Sequence, residues 1–184
     1  MKLSAPRIPA LAPQQWDVAT TQLLAPMLSH GTDLNVFRTL ANHPDLLRRW
    51  MVFTNHVMFK STLPQRVREL LILRIGFLCG SEYEWGVHAV MARKSGMTDE
   101  DFRAIQAGPG TVGIDESERM LLQATDELHN DNLITDATWQ ALSAHFDIRQ
   151  MMDIVFTVGQ YKLVSMMLNT FGVQLDSGLP GFQI

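Results

Sequence analysis

The residues with the types and spacing for chemistry lie between Glu69 and His88. The run Arg66-Val-Arg-Glu-Leu-Leu-Ile-Leu-Arg74 precedes Cys79-Gly-Ser-Glu-Tyr-Glu-Trp-Gly-Val-His88. Gly80 breaks one helix and Ser81 opens the next. Ser81, Glu84 and His88 then share a face, because positions three and four apart stack on successive turns. A carboxylate and an imidazole one turn apart can hydrogen-bond, hold one tautomer, or share a proton near neutral pH. Glu69 joins them if its helix packs antiparallel against the next. His88, Glu84 and Glu69 are therefore the candidate catalytic residues. Arg74 is the sole charge between Leu70 and Cys79, and a buried guanidinium needs a carboxylate from the protein or from a substrate. Arg74 and Ser81, with Tyr83 and Trp85 as possible walls, form the candidate substrate-binding set.

Each of these residues also has a structural reading. Ser81 and Glu84 have the spacing of a capping box, serine at the N-cap and glutamate reaching back from N3. His88 reads equally as a core histidine, Arg74 as half of an internal ion pair, and Tyr83 and Trp85 as packing. Glu84, His88 and Glu69 could together hold zinc or iron, but a lone glutamate–histidine pair selects no metal, and none is expected. His30, His129 and His145 sit near helix C-termini, where a cation suits the dipole. His43 precedes Pro44 at a turn, and His56 shares a stripe with Val52 and Phe59 that either faces the pocket or, the favoured reading, fills core.

The elements that must position these residues are helical. Apolar periodicity predicts helices at about 14–28, 33–41, 44–59, 64–79, 82–95, 98–107, 115–130, 135–145 and 147–170, with little strand patterning. Pro26, Pro44 and Pro64 stand at or near helix ends. Thr98 with Asp101 begins one helix as a capping box, and Gly31 and Gly96 end others. Gly108-Pro109-Gly110 and Gly113 mark the clearest loop. The predicted organisation is an N-terminal arm (1–13), one all-α domain (14–175, motif-bearing core about 45–170) and a C-terminal tail (176–184). Val67–Cys79 and Ile148–Phe171 are apolar almost all round, which suits the centre of a bundle or a subunit interface and predicts an oligomer.

Composition narrows the function classes. The 184 residues suffice for one core without disulfide or metal staples. Hydrophobic residues are 46% and charged residues 18%, with net charge −4. That balance argues against nucleic-acid or anionic-membrane partners. A single cysteine, Cys79, forms no internal disulfide and points to a reducing, cytoplasmic setting. Neither a secretory leader nor a membrane span is expected.

At these residues the sequence resembles the carboxymuconolactone decarboxylase family of the alkyl hydroperoxidase D-like superfamily. The hydroperoxidase branch has glutamate, eleven residues, cysteine, two residues, cysteine, three residues, histidine. Counted from Glu69, the cysteine positions fall on Ser81 and Glu84 and the histidine on His88, so the spacing is kept and the CxxC pair is missing. The decarboxylase branch resembles this chain in its glutamate four residues before the histidine. The resemblance implies a compact helical bundle assembling as trimers, hexamers or related rings. It implies a cofactor-free lyase of aromatic catabolism, acting on a small carboxylated lactone or keto acid by decarboxylation or proton transfer. His88 would then be the general acid, Glu84 and Glu69 its carboxylate partners, and Arg74 the substrate clamp. A thiol-dependent peroxide reductase is disfavoured, because neither serine nor glutamate replaces a thiolate. A non-catalytic oligomeric binding protein is the third possibility.

Overall fold

The computed structural model describes residues 3–29 and 31–183; His30 lies outside them. Its helices are α1 (Val18–Ser29), α2 (Asn35–Leu40), α3 (Pro44–Phe59), α4 (Gln65–Leu78), α5 (Glu82–Lys94), α6 (Asp99–Ala107), α7 (Glu116–Asn130), α8 (Asp136–Ser143) and α9 (Ile148–Phe171). No strand occurs among the described residues, and no helix there is long and apolar enough to cross a membrane.

Local chemistry sets most boundaries. Thr98 caps α6 in a full capping box with Asp101, and Asp147 does the same for α9 with Gln150. Thr135 and Asp115 cap α8 and α7 through side-chain oxygens. The first predicted helix is shortened: Pro13–Gln15 forms a single 3₁₀ turn, and extended backbone at Trp16 separates it from α1. Pro26 lies inside the last turn of α1, where losing an N–H disturbs little of the helix.

α4 is the axis of the bundle. Every residue from Arg68 to Gly76 is buried, and α5, α7 and α9 pack around it, with α6 closing one end. α9 is not buried all round in the single chain. Met151, Ile154, Val158, Tyr161, Val164 and Leu168 face the core, whereas Ile148, Met152, Val155, Phe156, Leu163 and Met166 are exposed. The stripe of Val52, His56 and Phe59 on α3 is likewise exposed, which corrects its reading as core; His56 lies 3.7 Å from Asp153 instead.

The C-terminal tail is docked rather than free. Asp176 accepts the Tyr83 hydroxyl at 2.5 Å and the Asn35 N–H at 3.1 Å. The Phe182 carbonyl accepts from Gln106, and its ring sits edge-on to Phe77 and Trp85. Gly86 makes this docking possible: a Cβ there would stand 2.5 Å from the Pro180 carbonyl oxygen.

Candidate active site

Gly80, with φ +61, reverses the chain between α4 and α5, a backbone turn that favours glycine. The two helices run back antiparallel and bring Glu69 against His88. The imidazole is clamped between two carboxylates: Nδ1 lies 2.7 Å from Glu69 Oε2 and Nε2 lies 3.0 Å from Glu84 Oε1. All three side chains are buried, with Glu69 completely excluded from solvent. Burial opposes a charge on His88. The Glu69 carboxylate, with help from Glu84, overrides it and lifts the imidazole to about 10. The ring is thus an imidazolium at neutral pH, with both N–H groups donating.

The capping-box reading of Ser81 and Glu84 does not hold. Ser81 is the N-cap of α5 but makes no side-chain cap bond, and its buried hydroxyl has no partner. Glu84 is turned along its helix to His88, one turn on. Its Oε2 takes no hydrogen bond among the described residues.

Arg74 is placed away from this cluster, which corrects its assignment as a substrate clamp. Its Nε and Nη2 pair with both oxygens of Asp126 at 2.6 and 2.7 Å. Its Nη1 donates to the Ile105 and Gln106 carbonyls at 2.8 and 2.9 Å. It thereby ties α4 to α7 and caps the C-terminal end of α6. Gly108, with φ +88, leaves room for it, since a Cβ there would meet Nη2 at 2.5 Å. Tyr83 does line a cavity of about 250 Å³, with Gly80, Glu82, Leu168 and Asn169, but none of Glu69, Glu84 and His88 lines it; Trp85 is core. Tyr83 anchors Asp176, and Trp85 is fully buried among Phe77, Phe102 and Phe182.

Two residues join the cluster that the spacing argument passed over. Arg68 lies beside Glu69, its Nη2 3.4 Å from Oε1, so cations and anions alternate from Arg68 through Glu69 and His88 to Glu84. The rule that a buried arginine seeks a carboxylate applied to Arg68 as well as Arg74, and its position next to Glu69 was the available signal. Tyr161 of α9 lays its ring edge-on against His88, centroids 4.9 Å apart. Burial, then the charges of Glu84 and Glu69, raise its phenol well above the ordinary value, against an opposing pull from Arg68. Tyr161 therefore remains a neutral donor. Nothing in the apolar run of α9 marked it beforehand.

Thiol chemistry is not favoured. Cys79 turns toward α7, its Sγ 3.8 Å from His129 Nδ1, and burial pushes its thiol up. Among the described residues, no three histidine, cysteine or acidic side chains are arranged to hold a metal.

Comparison with known proteins agrees with the architecture. Residues 44–127 match the Carboxymuconolactone decarboxylase family, described by that name. The fold is similar to an alkylhydroperoxidase AhpD core, an uncharacterized peroxidase-related protein from Ralstonia eutropha JMP134. The two share 21% identity at TM-score 0.83, covering 94% of this chain and 93% of that one. An uncharacterized peroxidase-related protein from Silicibacter sp. TM1040 aligns at TM-score 0.82 and 16% identity, covering 98% and 99%. A debrominase in complex with 2,3,4-tribromopyrrole aligns at TM-score 0.76 and 11% identity, covering 96% and 95%. No curated protein sequence matches this chain. Identities this low establish a shared fold and leave the chemistry to the site itself.

Proposed function

We infer that this chain, whose residues 44–127 match the Carboxymuconolactone decarboxylase family, is a cofactor-independent acid/base enzyme. It would act by decarboxylation or proton transfer on a small carboxylated lactone or keto acid. The observation that carries this reading is His88 held between Glu69 and Glu84 at 2.7 and 3.0 Å.

Both ring nitrogens are occupied, so His88 does not itself reach a substrate. Glu84, with one uncommitted oxygen, is the outlet. In the forward direction His88 passes its Nε2 proton to Glu84, and the resulting carboxylic acid protonates the carbon of an enolate or dienolate left by loss of CO2. Run the other way, the Glu84 carboxylate removes a proton next to a carbonyl. Glu69 holds the opposite nitrogen and stabilises the imidazolium that proton transfer forms or consumes. Solvent exclusion strengthens each of these interactions.

The exposed apolar stripe on α9, from Met152 to Met166, supports a homo-oligomer, trimer or hexamer. A patch of this kind on a small chain is more often covered than left in water. The lone cysteine suits a reducing, cytoplasmic setting.

The test is proton exchange and CO2 release over a panel of lactone carboxylates and β-keto acids, with Glu84→Gln alongside. Glutamine keeps the shape and loses the exchangeable acid, so turnover should fall about 100-fold or more with folding retained. Undiminished turnover in Glu84→Gln would remove Glu84 from the chemistry. Absence of any turnover by the parent protein over the panel would refute the enzyme reading for these substrates.

A further inference from the structure

We propose that Arg68 is the anion-binding side of this site and takes the carboxylate of the ligand. The assignment rests on the acid/base reading above and adds the group that recognises the substrate.

The contrast between two buried arginines carries it. Arg74 has its donors filled by Asp126 and two carbonyls. Arg68 is equally withdrawn from water, 9% exposed, yet it makes one long hydrogen bond of 3.4 Å to Glu69. Its Nε is buried with no partner at all. A buried guanidinium N–H without an acceptor is costly, and such groups are normally satisfied. The planar fork of arginine matches a carboxylate with paired donors.

Tyr161 of α9, whose ring packs against His88, is a second under-used donor near the cluster. The Tyr161 hydroxyl has only the thioether of Met58, a weak acceptor, at 2.7 Å. One turn before it, the Thr157 hydroxyl is buried and unpartnered. The buried Arg68 Nε–H lacks an acceptor, and an oxyanion would supply one. Glu69 and Glu84 do not repel it outright, because Arg68 and the His88 imidazolium offset their two charges. An anion held by Arg68 would lie beside the Glu69–His88–Glu84 relay, with a neighbouring carbon presented to Glu84.

The experiment compares binding of 5-oxotetrahydrofuran-2-carboxylate and its neutral primary amide by titration calorimetry. The same acid is followed by NMR for exchange of its ring protons in D2O. The parent protein should bind the acid at least about tenfold more tightly than the amide, the discrimination of one charge-assisted contact. Arg68→Gln should lose that preference while its amide affinity stays unchanged, an outcome that a merely structural arginine would not give. Arg68→Lys keeps the counter-charge for Glu69 and so guards against loss of folding. It should show a reduced acid preference, because the planar fork is gone.

An acid-to-amide ratio unchanged in both variants overturns the assignment, as does no saturable binding of the acid by the parent protein at millimolar concentration. An Arg68-dependent preference without proton exchange sustains the anion site and counts against the acid/base reading. Exchange with an unaltered KM in Arg68→Gln and Arg68→Lys does the reverse.

Discussion

Replacing His88 should change the pH dependence of stability more tellingly than stability at any one pH. In the folded chain the imidazole holds its proton up to about 10, against 6.5 for an unperturbed histidine. The folded state therefore binds that proton more tightly than the unfolded chain. The resulting stabilisation is complete below pH 6.5 and is withdrawn as the pH rises through about 10. At 1.36 kcal/mol for each pH unit, the interval corresponds to about 5 kcal/mol. His88→Gln removes the titrating group and leaves Glu69 and Glu84 buried without their cation, which should cost about 3–5 kcal/mol near neutrality. The assay is urea unfolding of both proteins at intervals across pH 6.5 to 10, with the ring protons of His88 followed by NMR. The stability gap should be widest at the acid end and shrink toward pH 10, while the His88 ring shows no titration near neutrality. Cys79, raised by burial, and the surface groups titrate in both proteins and cancel in the difference. A constant gap across the window, or a ring that titrates near 6.5, would refute the clamped imidazolium.

Two further substitutions separate scaffold from site. Arg74→Met breaks the bidentate pair with Asp126 and uncaps α6; chemical unfolding should show a loss of about 3–5 kcal/mol, whereas the affinity for a carboxylate ligand at the His88 cluster should not change. Gly86→Ala drives a methyl against the Pro180 carbonyl. It should release the tail and expose its peptide bonds, so limited proteolysis near Leu179 should accelerate while the helical circular dichroism is retained.

The elements were legible in the sequence, and so was the geometry of one helix face. Thr98 with Asp101 marked the start of α6, and Gly31 and Gly96 the ends of α1 and α5, because such residues satisfy backbone groups locally, without tertiary help. The alignment of Glu84 and His88 followed from the helical period alone. What the sequence did not settle was which polar residue inside an apolar helix meets which partner. Arg68 and Arg74 lie on one helix and differ only in what the fold carries past them, α7 and the end of α6 for Arg74, Glu69 and α9 for Arg68. Tyr161 was hidden for the same reason, since its role depends on the approach of α9 to α5. The stripe of Val52, His56 and Phe59 misled because an apolar face signals burial only when something covers it.

The contents of positions 81 and 84 decide what such a scaffold can do. A pair of thiols there would have electrons to give and a disulfide to form. Serine and glutamate have neither, so the relay proposed to end at Glu84 would move protons rather than electrons. Yet the rest of the relay is retained at a cost. Glu69 is wholly buried, and Arg68 carries an unsatisfied N–H beside it. Well-packed apolar side chains at these positions would stabilise the bundle equally well or better. Packing therefore does not account for the cluster, nor does a helix cap, since Ser81 makes no cap bond. A proton held on His88 well above its ordinary range, with the Glu84 carboxylate 3.0 Å from Nε2, is what the proposed acid/base role would need. In the proposed reaction the proton would cross that 3.0 Å ion pair to reach an enolate.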